Sequence, residues 1–205
     1  VARYGSAGLG WLKVRGPLTG DARVAWLLVA TAVPTGILGI AVLAITDDLG
    51  DRTWLVAVSL IVFGLALYLA DRRPSGRGVD DLRLRDALVL GTAQGLAFQP
   101  GVSRSGVTLT VARGLGLDRG DATRLVFLMS LPVIAGAGLV KAPDLVVPTG
   151  WWGAFAWGTL AAAISGWFAV HWMLRLVART GFGGFAVYRV VVGVSVLVLL
   201  ASSFR

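Results

Sequence analysis

Polar and apolar positions along this chain fall into long blocks, without the short alternation of a soluble helix or strand. Five predominantly apolar runs, at 24–46, 53–70, 125–140, 150–174 and 185–202, are each close to the length that a helix needs to cross a hydrocarbon core. Pro34 and Gly36 interrupt the first run, as membrane helices allow when neighbours re-satisfy the backbone. A sixth apolar region is different. Segments 87–98 and 106–117 are each too short to span, and they flank Pro100 and Gly101. Two half-length helices on a Pro/Gly/Ser loop predict a re-entrant hairpin, with irregular backbone at membrane depth where a cavity can receive it.

The pattern therefore predicts an all-α, polytopic integral membrane protein with about five transmembrane helices and one re-entrant helix-loop-helix hairpin. Residues 1–205 form one membrane domain: a polar N-terminal segment at 1–23, two spans in 24–70, the hairpin at 87–117 and three spans in 125–203. Thr31-Ala32-Val33-Pro34, followed by Gly36 and Gly39, is echoed by Ser130-Leu131-Pro132 followed by Gly136 and Gly138. Such faint echoes fit an inverted-repeat fold.

Composition sharpens this picture. The chain is 56% hydrophobic, and many of its eight tryptophans lie near the ends of apolar runs, as in an interfacial belt. The net charge of +8 sits mostly in loops, where membrane topology and anionic headgroups explain it better than nucleic acid does. Segments 1–23, 71–86 and 175–184 are basic, whereas 47–52 (with Asp47, Asp48 and Asp51) and 141–149 are acidic or weakly charged. If the hairpin enters and leaves on one side, the basic loops share the cytoplasmic face. The chain has no cysteine, so disulfide and thiolate chemistry are excluded. All eleven acidic residues are Asp, and the single histidine is His171, so general bases are scarce.

The candidate chemistry lies at the hinge, Pro100-Gly101-Val102-Ser103-Arg104-Ser105-Gly106-Val107-Thr108. An arginine at membrane depth is costly unless it meets a cavity or a partner, so its default reading is functional. Ser103, Ser105 and Thr108 add hydroxyls, while Gly101 and Gly106 let the backbone turn and bring its N–H groups close to a ligand. Arginine, hydroxyls and backbone N–H groups together make a phosphate site, and at this depth the phosphate is expected to belong to a lipid. Ser103 and Ser105 equally suit the start of the second half-helix as caps, which is compatible with anion binding.

At these residues the chain resembles the undecaprenyl-diphosphate phosphatase family of the bacitracin-resistance type. The resemblance runs through 91–110, 127–145 and 185–193, with the PGVSRSG core as its most specific part. It implies hydrolysis of undecaprenyl diphosphate to undecaprenyl phosphate and phosphate in a bacterial plasma membrane, recycling the cell-wall lipid carrier and conferring bacitracin resistance. Arg104 would bind phosphate, with Ser103, Ser105 and Thr108 as accompanying hydroxyls and Gln94 facing the site from the preceding half-helix. Tyr188 and Arg189 match the family's late Tyr-Arg pair, expected to pack near the site or the headgroup, with an interfacial anchor as the alternative for Arg189. Gln94 has the alternative of a helix–helix hydrogen bond.

The family also carries an earlier motif with two glutamates and a Ser/His run, which this sequence does not contain. The chain thus reads as a C-terminal portion of the fold, holding the phosphate grip without the activating half. A divalent cation, Mg²⁺ or Ca²⁺, is expected for the family, with ligands missing from this chain. The expected partners are a polyprenyl diphosphate lipid and the bilayer, with a homo-oligomer as an option and no nucleic acid. A non-enzymatic lipid-phosphate carrier, or an inactive fragment, is the alternative reading.

Overall fold

The structure, a computed structural model, describes residues 2–14, 20–45 and 52–203. Among the described residues there are eight α-helices and no named strand: α1 (Ala2–Val14), α2 (Gly20–Ile45), α3 (Thr53–Asp71), α4 (Leu84–Gly95), α5 (Arg104–Gly114), α6 (Arg119–Lys141), α7 (Trp152–Thr180) and α8 (Gly183–Ser203). Five of them, α2, α3, α6, α7 and α8, are long and apolar enough to cross a membrane. The chain is an all-α, polytopic membrane protein. The acidic connection around Asp47, Asp48 and Asp51 lies outside the described residues.

Helices α4 and α5 form a hairpin whose two ends meet. The Arg77 amide donates to the Gly116 carbonyl at 3.1 Å, and the Asp118 amide donates to the Arg77 carbonyl at 3.0 Å, joining the strand-like loops before α4 and after α5. The hairpin therefore enters and leaves at one end of the bundle. Its twelve-residue α4 continues into a 3₁₀ turn, Leu96–Phe98. At 1.5 Å per α-helical residue and 2.0 Å per 3₁₀ residue, the tip reaches about 24 Å from that end, most of a bilayer core.

Caps explain where these half-helices start. The Asp86 carboxylate accepts the Arg83 amide at 3.1 Å, setting the start of α4. Ser103 Oγ accepts the Gly106 amide at 3.1 Å, setting the start of α5. Both helices consequently begin and end two to three residues earlier than the apolar runs at 87–98 and 106–117 suggest.

Close packing holds the hairpin against α2. A Cβ at Gly91 would collide with the Thr31 carbonyl and come within 2.7 Å of Pro34 Cγ, so only a glycine lets the two backbones approach this far. The Thr35 hydroxyl, buried at this crossing, lies 2.8 Å from the Gly91 carbonyl and 2.9 Å from that of Thr31. Leu90, Leu117, Leu125, Met129 and Phe182 fill the core beside it. By contrast, the membrane-length part of α7 is only 6% buried and presents its apolar side chains outward.

One expectation is corrected. Residues 1–23, read as a polar loop or surface segment, include helix α1 and the first turn of α2. Glycines at 5, 8 and 10 lower the intrinsic helical signal. Tertiary packing overrides it: Tyr4 is buried beneath Arg124, whose guanidinium carbon lies 5.6 Å from its ring, and Trp11 meets Trp26 edge-on at 5.7 Å. The later spans also run past their predicted limits, α7 carrying Arg175 inside its last turns.

The cations gather where the hairpin begins and ends. Arg23 donates to the carbonyls of Asp80 and Leu82. Asp71, at the end of α3, accepts from Arg119 at 2.6 and 3.0 Å and from the Phe182 amide at 3.2 Å, and it sits 3.4 Å from Arg113 Nε. One carboxylate thus ties α3, α5, α6 and the α7–α8 turn together at the basic end.

Candidate anion site at the hairpin hinge

The hinge is held in place by a close approach to α3. Gly101 has φ +85°, and a Cβ there would lie 2.5 Å from the Val56 carbonyl oxygen, so the turn needs glycine both for its conformation and for its fit. Behind it stands α8. Arg189 is only 8% exposed, and its Nη2 donates to the Gly101 carbonyl at 3.1 Å. Its Nη1 lies 3.3 Å from where a Gly106 Cβ would be, and its Nε is buried with no hydrogen-bond partner. Gly64 of α3 makes room for this arginine, since a Cβ there would sit 3.2 Å from Arg189 Cβ.

The N-terminus of α5 opens onto the same turn. The Gly106 amide is taken by Ser103 Oγ and the Val107 amide by the Ser103 carbonyl. The first-turn amides of Arg104 and Ser105 remain for a ligand, at the positive end of the helix dipole. Ser103 Oγ and Ser105 Oγ lie 3.3 Å apart, forming a hydroxyl pair at the hinge. Arg104 begins the helix, and its guanidinium is exposed with no ion-pair or hydrogen-bond partner among the described residues. Gln94, in the last turn of α4, is 1% exposed, and its Nε2 has no hydrogen-bond partner.

The sequence-predicted residues divide accordingly. Gly101, Gly106, Ser103, Ser105, Arg104 and Arg189 converge on the hinge. Thr108 is fully buried and donates to the Arg104 carbonyl of its own helix at 2.7 Å, so it braces the first turn. Tyr188 is 67% exposed, on a different face of α8 from Arg189. Val56 and Gly64 were not foreseen. Neither has a chemical group that a motif could register, and only the crossing of α3 with the hinge and α8 reveals them.

Chemically, the arrangement suits an anion. The Arg189 guanidinium, the Ser103 and Ser105 hydroxyls and the first-turn N–H groups of α5 gather at one turn, and a cationic group with no acid bonded to it suits a negative ligand. No carboxylate bonds to the hinge residues in the described structure, and no cluster of metal-ligating side chains occurs among the described residues. Divalent Mg²⁺ or Ca²⁺ takes oxygen ligands, chiefly carboxylates. The donors at the described hinge therefore do not fit such a cation.

The family model for bacitracin resistance protein BacA matches residues 6–195. The chain is 40% identical over 187 residues to a protein of Nocardioides sp. named undecaprenyl-diphosphatase, covering 89% of this chain and 68% of the relative. A Gemmatimonas aurantiaca protein of the same name is 46% identical over 187 residues, with the same coverages. One from Hahella chejuensis is 37% identical over 196 residues, covering 93% and 73%. The chain belongs to the bacitracin resistance protein BacA family.

Proposed function

We propose that this BacA-family chain hydrolyses undecaprenyl diphosphate to undecaprenyl phosphate and inorganic phosphate, with the hinge as the diphosphate site. The observation that carries this reading is Arg189: a buried guanidinium with an unpartnered Nε, directed at a glycine turn beside a helix N-terminus, with no carboxylate bonded to it. Hydrolysis adds water across the P–O–P bridge. The terminal phosphoryl group leaves as phosphate and the lipid keeps the other phosphate. The chain's own residues supply charge neutralisation for that exchange. Arg104, exposed and unpaired at the hinge, takes phosphoryl oxygens in bidentate fashion. Arg189 holds the turn through the Gly101 carbonyl and adds positive potential from behind. Ser103, Ser105 and the first-turn amides complete the donor set.

The setting is a bacterial plasma membrane. The basic loops share one end, which the positive-inside rule assigns to the cytoplasm. The hinge, about 24 Å in from that end, then approaches the opposite leaflet. Recycling of the carrier lipid there gives bacitracin resistance, because less of the diphosphate remains for the drug to bind.

The absence of a carboxylate at the described hinge favours a second reading, a lipid-phosphate carrier, since a donor set without a base binds more readily than it activates water. Proteoliposomes containing the chain, supplied with undecaprenyl diphosphate, separate the two. Phosphate release that is lost in Arg104→Ala and Arg189→Ala supports the enzyme. Lipid transfer between leaflets without phosphate release replaces it with the carrier.

A further inference from the structure

At the basic end of the bundle, some distance from the hinge, two cavities adjoin. One is a crevice of about 450 Å³ lined by Arg72, Arg73, Arg113, Arg119, Asp71 and Asp118, among others. The other is a groove of about 430 Å³ between α3 and α5, lined chiefly by Ala66, Leu69, Val111, Gly114 and Leu115. Ala70 and Arg73 belong to the groove, and Arg73 lines both cavities. A charged chamber thus opens beside an apolar channel, at the level where span α3 ends.

We propose that this pair of cavities binds an anionic phospholipid, its phosphate in the crevice and one acyl chain in the groove. Charge selects the headgroup. Four arginines against two aspartates leave two positive charges in the crevice. Arg113 is 3% exposed and shares Asp71 with Arg119, so one carboxylate serves two guanidinium groups. Arg72 is folded over the Tyr68 ring, 4.3 Å from its centroid. The Arg73 side chain has no ion-pair or hydrogen-bond partner in the described structure, which leaves it for a phosphate. A cation shared by an apolar channel and a charged crevice matches an amphiphile at the membrane surface.

The apolar groove distinguishes a lipid from free phosphate, which would have no use for it. Position distinguishes this lipid from the substrate: α5 runs for eleven residues between the hinge and Gly114, about 16 Å. A lipid seated here bridges α3, α5 and α6 beside the Asp71 junction, and so steadies the hairpin that carries the hinge. The inference does not rest on the reading of the hinge, because its test is binding.

The experiment is native mass spectrometry and thermal unfolding of the detergent-solubilised chain, titrated with dioleoyl phosphatidylglycerol, dioleoyl phosphatidylcholine or inorganic phosphate. Gly114→Leu adds bulk to the groove lining, where nothing lies within 4 Å of a Cβ placed there. Arg73→Ala removes the unpaired charge, and Arg85→Ala, an exposed cation outside both cavities, is the control.

The expected result is phosphatidylglycerol binding roughly tenfold tighter than phosphatidylcholine, by the arithmetic of one to two charge-assisted contacts. Arg73→Ala and Gly114→Leu each lose most of that preference, with lipid-free melting unchanged in Gly114→Leu, while Arg85→Ala behaves as wild type. Equal binding of the two lipids, or an unaltered preference in both cavity variants, overturns the proposal. Stabilisation by inorganic phosphate to the same degree also overturns it, in favour of a free-anion site.

Discussion

Among the described residues, arginines are buried at two places, and the two are treated in opposite ways. At the basic end, Arg113 is buried but lies 3.4 Å from Asp71 and donates to the carbonyls of Asp71, Arg73 and Leu117. At the hinge, Arg189 is nearly as buried, donates to the Gly101 carbonyl, and has no carboxylate bonded to it among the described residues. A buried charge without a counter-ion is costly, whereas a paired one is close to neutral in stability. The contrast separates roles. The paired arginine fastens helices together, and the unpaired one, on the function proposed above, is retained at a cost that a negative ligand offsets.

The strongest way to break this comparison is to remove each arginine's function separately. Arg104→Ala and Arg189→Ala should lower phosphate release in proteoliposomes by about 10²-fold or more, as loss of a preorganised donor to a phosphoryl group does. Expression and melting temperature should stay near wild type for the exposed Arg104. Near-normal turnover in both variants would remove the hinge from the mechanism. At the other end, Asp71→Asn should destabilise by about 3 kcal/mol, because Arg113 then remains buried without its counter-charge. Unfolding in detergent measures this. A variant that melts like wild type would mean that the carbonyl acceptors alone satisfy Arg113.

Much of the architecture was legible because a membrane imposes uniform rules. The 53–70 run has no charge over its length, and α3 occupies it within one residue at its end. The hinge was legible because Pro100, Gly101 and the serines interrupt an apolar pattern that would otherwise continue. Helix α1 was not legible, since its glycines resemble loop sequence and its stability comes from Tyr4 and Trp11 packing on distant residues. Asp71 read as the boundary of a span, although it is the centre of a junction between four elements. Nothing local signals that, because Arg113, Arg119 and the Phe182 amide come from 42 to 111 residues away. Arg189 lay between two readings in the sequence. The crossing of α8 with α3, permitted by Gly64, decides it in favour of the hinge.

The turn itself gives a smaller effect. Gly101→Ala forces a Cβ into the left-handed region and onto the Val56 carbonyl, at a cost of about 1–3 kcal/mol. The hinge would shift away from α3 and Arg189 would lose its carbonyl. Turnover should fall further than the melting temperature does. A melting loss with unchanged turnover would show that the turn supports the fold alone.

The smallest effect belongs to Asp86, where the hairpin leaves the basic end. Burial alone would push its carboxyl up, but hydrogen bonds from Arg77 and the Arg83 amide, with the charges of both arginines, outweigh burial and hold it below the ordinary carboxylate range. The Arg77 bond is 2.6 Å long. A carboxyl lowered in the folded state binds protons more weakly than in the unfolded chain. Its contribution is therefore fully present above the ordinary value of about 4, and it is lost as pH falls through the lowered folded value. Arg77 is partly exposed, which limits the contribution to about 1 kcal/mol. Melting measured from pH 7 to pH 3 should fall less steeply on the acid side for Asp86→Asn than for wild type, with the variant starting lower at pH 7. Identical acid limbs would mean that other carboxylates carry the acid sensitivity and that the start of α4 does not depend on the charge of Asp86.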